Sequence, residues 1–216
     1  MRVYLEVGAK KTFASAVDWP GWSRGAKAED EALDGLLAYA ERYAAAIGVS
    51  ASKLGPGAWG KVEVIERLKG NATTDFGAPG VVPELDREPI SAERLEEMVA
   101  LLGACWKTFD EVAAAARGME LVPSGPRGGG RTLDKMVDHV IEAQAGYLAA
   151  IGGKPGAGAR WAAIRRDFET ALAARARGEV ADVGPRGGKR WPAPYAIRRS
   201  AWHALDHAWE IEDRLG

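Results

Sequence analysis

The feature that most constrains this chain is a change of hydrophobic period along it. In the first residues apolar side chains alternate: Val3, Leu5 and Val7 share one side of a short strand, and Phe13 to Val17 offers a second after Gly8 to Lys11. From Ser91 onward the spacing is helical instead. Leu95, Met98, Val99, Leu102, Trp106 and Phe109 form one stripe, with Ser91 as N-cap and Arg94 where a capping box would have Glu. A period of two needs a sheet and a period of 3.6 needs packed helices, so the expected fold class is α+β. A small N-terminal sheet and helix unit precedes a four-helix bundle.

Between these regimes Asp18-Trp-Pro-Gly21 turns the chain. A helix is expected from Ala28 to Ile47 and a returning strand at Val62 to Leu68. Gly70 to Glu88 lacks periodicity and reads as a linker or surface crossing, which gives units at 1–70 and 91–216 with a linker at 71–90. Within the second unit, further helices are predicted from Thr132 to Ala150, from Arg160 to Arg177 and from Tyr195 to Arg214. The two Gly-Pro-Arg-Gly-Gly segments, at Gly125 and Gly184, suit interhelical loops; neither has the Gly-Lys-Ser/Thr ending of a phosphate-binding loop.

Composition narrows function. A formal net charge of -1 over 216 residues, with both signs interleaved, argues against nucleic acid or an acidic membrane as main partner. One cysteine, Cys105, rules out an internal disulfide and a thiolate cluster; inside an apolar helix it reads as buried and inert. No apolar run reaches the roughly 20 residues of a membrane span and no signal peptide is evident, so a cytoplasmic protein is expected.

The chain has three histidines. His203 and His207 stand four apart on the last predicted helix, a spacing that turns about 40° beyond one full turn, so both imidazoles leave the same face. His139 lies mid-way along another helix of the same unit. Packing those helices together would set three neutral imidazoles around one divalent ion and leave a position for water or substrate. A histidine pair at this spacing also serves as ordinary helix surface or core. Glu142 and Glu210, each three residues after a histidine, are candidates for a base or for an acceptor of an imidazole N–H. Arg199, one turn before His203, is a candidate clamp for a carboxylate or thiol cosubstrate, with a salt bridge to Glu142 or Glu210 as the structural alternative. Trp202 is a candidate pocket wall, and core packing is the alternative for it and for Trp209.

Residues 91–216 resemble the DinB-like superfamily, which includes mycothiol-dependent maleylpyruvate isomerases and bacillithiol transferases. The resemblance rests on four helices, on Asp138-His-Val-Ile-Glu-Ala-Gln144, and on Arg198-Arg-Ser-Ala-Trp-His-Ala-Leu-Asp-His-Ala-Trp-Glu210. It implies a metal triad of His139, His203 and His207, with zinc or nickel as the ion. It further implies a low-molecular-weight thiol as cosubstrate, and an S-transferase or isomerase acting on a small molecule. A hydrolase and a non-catalytic metal- or ligand-binding regulator with an N-terminal partner-binding unit are the other readings. Residues 1–47 resemble the HicB-like antitoxin fold through Tyr4-Leu-Glu6, Phe13 to Gly21 and Arg24 to Leu33. With a helical bundle where that family has a DNA-binding module, this implies a stabilising or dimerising appendage. Trp19 and Trp22 would either contact the bundle or cap their own core, and an exposed strand edge would support a homodimer.

Overall fold

The computed structural model describes residues 1–54, 62–122, 130–156, 158 and 160–215. The Gly-Pro-Arg-Gly-Gly segment at Gly125 lies outside the described residues. The chain divides into two compact units, Met1–Glu88 and Pro89–Gly216.

In the first unit, β1 (Arg2–Val7), β2 (Thr12–Ala16), β3 (Ser23–Ala26) and β4 (Glu63–Lys69) form one sheet in the order β3-β2-β1-β4. β2 runs antiparallel to both β1 and β3, while β4 lies parallel to β1. The expected helix over 28–47 is two shorter ones, α1 (Glu29–Ala38) and α2 (Ala40–Ala46), meeting at Tyr39. Arg24 lies over the Tyr39 ring at 3.7 Å and Arg42 at 5.2 Å, so the break puts that ring between two cations. Trp22 is a core residue of its own unit: it stacks on Tyr43 with ring centroids 5.2 Å apart and donates to the Leu36 carbonyl at 2.8 Å. Trp19 meets the same Tyr43 edge-on.

Residues 71–88, expected as a linker, are built into this unit. Asn71 caps α3 (Ala72–Phe76) with a full capping box, and a 3-10 turn follows at Glu84–Asp86. The reason is Glu6, which is fully buried on β1. Its carboxylate accepts from the Thr74 hydroxyl, from Gly80 N at 2.8 Å and from Val81 N at 3.0 Å. A buried carboxylate demands such donors, and the segment after β4 supplies them.

The second unit holds α4 (Ala92–Ala115), α5 (Leu133–Ala150), α6 (Trp161–Ala176) and α7 (Ala193–Asp213). Ser91 and Thr132 cap α4 and α5 through their hydroxyls, each accepting from the backbone N–H three residues on. α7 packs against each of the other three helices. It is therefore buried almost all round, and Ala196, Ala201, Ala204 and Ala208 allow neighbours to come close. Leu102, Phe109, Met136, Leu148, Phe168 and Leu172 complete the core from the flanking helices. Polar ties fix the register: Trp106 on α4 donates to Ser200 on α7, which donates to Gln144 on α5. The second Gly-Pro-Arg-Gly-Gly segment forms a tight turn before α7, with Gly184 N bonded to Gly188 O at 2.8 Å. No described helix is long and apolar enough to cross a membrane.

Candidate metal centre

α5 and α7 bring the three histidines together. One ring nitrogen from each of His139, His203 and His207 lies within 4.8 Å of the others. The Nε2 atoms of His139 and His203 are 3.2 Å apart. Ring centroids are 4.7 Å apart for His203 and His207, 5.0 Å for His139 and His203 and 5.1 Å for His139 and His207. Nitrogens bound tetrahedrally to zinc at about 2.05 Å stand about 3.3 Å from one another. The His139–His203 pair already has that spacing.

Electrostatics favour the neutral, ligating form of His139 and His203. Burial is the first cause that lowers the pKa of His139 and of His203, and the His207 charge is the second; His203 lies well below the ordinary imidazole value. Neutral nitrogens with lone pairs are what a metal requires. His203 and His207 are each 7% exposed, whereas His139 is half-buried and forms the open side of the cluster.

Glu210 occupies the acceptor role. Its Oε2 is 2.9 Å from His207 Nδ1, a contact in which Nδ1–H donates to the carboxylate and the ring is turned with Nε2 away from it. Arg214, one turn further, is 3.5 Å from the other oxygen of Glu210. The same guanidinium donates to the Val122 and Arg131 carbonyls at 2.9 and 2.8 Å. Glu142 is exposed on α5, one turn past His139, and its charge raises the His139 pKa against the lowering causes.

Arg199 takes neither glutamate as its salt-bridge partner. Its Cζ lies over Trp202 at 4.7 Å and over Tyr147 at 5.8 Å, and its buried Nη1 has no hydrogen-bond partner among the described residues. Trp202 is buried beside His203 with ring centroids 6.1 Å apart. Trp209 is core. Cys105 is fully buried, and burial drives its thiol pKa upward, so it supplies no nucleophile.

The sequence did not single out Tyr147, Trp191 or Arg214. Tyr147 meets His203 edge-on at 5.8 Å and packs on Trp191 at 5.4 Å. Burial raises its phenol pKa, against the Arg199 charge. Trp191 is fixed through its backbone: its N–H donates to the Ala150 carbonyl, and its own carbonyl accepts from Arg175 Nε at 3.1 Å. Tyr147 had a readable signal, since eight residues after His139 it returns about 80° from that face. Arg214 stands at the i,i+4 spacing from Glu210, a second readable signal. Comparison of the chain with protein-family models, curated proteins and solved structures returns no match.

Proposed function

We propose that the chain is a divalent-metal-dependent enzyme of the DinB-like kind, holding zinc or nickel on His139, His203 and His207. It would act on a small molecule as an S-transferase or isomerase with a low-molecular-weight thiol. The observation that carries the metal assignment is the convergence of three ring nitrogens from two helices within 4.8 Å, with His207 oriented by Glu210. Three protein ligands without a fourth is the donor set of an open, catalytic type of centre. A divalent ion bound there acidifies a thiol or water that joins it. In this reading Glu210 is the positioning carboxylate and Glu142, which faces solvent, is the group that takes up a proton. Arg199 and Trp202 form the substrate side.

Metal content, measured by mass spectrometry on protein made without a histidine tag, tests the assignment beside the double variant His203→Ala/His207→Ala. Near-stoichiometric metal in the native chain, lost in the variant, is expected. Native protein that binds neither added zinc nor added nickel would overturn the metal reading, and the histidines would then be structural.

A further inference from the structure

Two arginines of the helical unit have the same aromatic surroundings and different partners. Arg165 lies over Trp161 at 3.9 Å and over Trp106 at 5.1 Å, and its guanidinium takes both oxygens of Asp110, at 2.6 and 2.9 Å. Trp161 donates to the same carboxylate at 2.8 Å. Arg199 has the aromatic flank, Trp202 and Tyr147, without such a carboxylate; each guanidinium keeps one buried nitrogen without an acceptor among the described residues, Nη1 on Arg199 and Nε on Arg165. Attraction to ring faces offsets part of a cation's lost hydration, but it gives an in-plane N–H no oxygen to bond. An unmet donor on a charged group costs more than a neutral one, and of these two arginines Arg199 is the one without a carboxylate among the described residues, so an added anion would supply what Asp110 supplies to Arg165.

The surroundings favour that anion. Glu210, the half-buried acid beside the histidines, is engaged by His207 and Arg214, and the Arg199 charge reaches both His203 and Tyr147. A divalent ion on the histidines would add positive charge. The half-buried rings of Tyr147 and Trp191 make an aromatic wall beside it, backed by the buried Tyr195, which meets Trp191 edge-on with centroids 4.9 Å apart. A flat apolar body fits such a wall better than a chain of hydroxyls does.

From this we infer that the centre takes an aromatic carboxylate, its carboxylate on the Arg199 guanidinium and its ring along Tyr147 and Trp191. The inference rests on the metal reading of the same site and names its substrate class. Carboxylate suits the arginine fork, as the Asp110 pair in this unit demonstrates.

The test uses the full chain loaded with cobalt(II), whose visible spectrum reports the metal ligands, and calorimetric titration with benzoate, acetate and benzylamine. Benzoate is expected to bind at least about tenfold more tightly than acetate, because only it meets the ring wall, and benzylamine is expected not to bind. Arg199→Gln should weaken benzoate at least about tenfold with cobalt affinity unchanged; Arg199→Lys should fall between. Benzoate binding no tighter than acetate, or equally tight in Arg199→Gln, would overturn the inference and leave the metal centre standing. Native chain that takes up no cobalt would overturn both. Because native protein alone gives the benzoate, acetate and benzylamine comparison, the result does not depend on a variant that folds.

Discussion

The two units each bury polar groups, and they treat them in opposite ways. Glu6 in the sheet unit is surrounded by donors from Thr74, Gly80 and Val81, which saturate its oxygens. In the helical unit, three imidazoles face one another, and Arg199 keeps a buried nitrogen without an acceptor among the described residues. A saturated buried group stabilises one conformation and has no capacity left for a ligand. An under-satisfied cluster is expensive to fold around, and such expense is characteristic of a site that something else completes.

The strongest way to break this contrast is at the histidines. His207→Ala should lower zinc affinity by more than about 100-fold, beyond the range typical of losing an outer partner, while circular dichroism of the helices stays unchanged. Retained affinity would make His207 a packing residue and erase the distinction. Glu6→Ala probes the other unit. Orphaning three donors should cost about 3 kcal/mol locally and speed amide exchange at Gly80 and Val81, with zinc binding untouched. A change in zinc affinity would show the two units to be coupled.

Finer distinctions come from Glu210 and from pH. Glu210→Gln should weaken zinc by about 10-fold to 100-fold without unfolding, because the amide holds the His207 ring less firmly than a carboxylate does. The titration effect is smallest. His203 and His139 have folded pKa values below that of the unfolded chain, so on acidification the unfolded chain takes up these protons first. Their contribution is complete above about pH 6.5 and is lost as pH falls through that value toward the folded ones. Metal-free protein should therefore melt a few degrees lower at about pH 5 than at about pH 7. The His139→Gln/His203→Gln variant should flatten that slope.

How much of this was legible depends on whether a residue's partner is near in sequence. Alternation gave away β1 and β2, stripes gave away α4 to α7, and Ser91 and Thr132 announced two helix starts. β3 had no apolar alternation: Ser-Arg-Gly-Ala becomes a strand because β2 offers a neighbour and because Gly25 has no side chain. A Cβ there would stand 2.8 Å from the Phe13 ring. The break at Tyr39 and the folding of 71–88 onto Glu6 likewise arise from tertiary partners, which periodicity cannot register. In the candidate site, the histidines could be picked out because there are so few and one face carries two. Trp191 could not, since its place is fixed by backbone bonds from α5 and α6 to a residue between helices.

Arg214 has a consequence that reaches beyond its own helix. Its guanidinium joins Glu210, and through it His207, to the backbone oxygens of Val122 and Arg131, and its own carbonyl accepts from Val122 N at 2.9 Å. The entry into α5 and the exit from α4 are thereby moored to the carboxylate that holds His207 through this one residue, so an ion that stiffens His207 should slow exchange of the Val122 amide. That amide would serve as a remote gauge of occupancy, readable without touching any residue of the site.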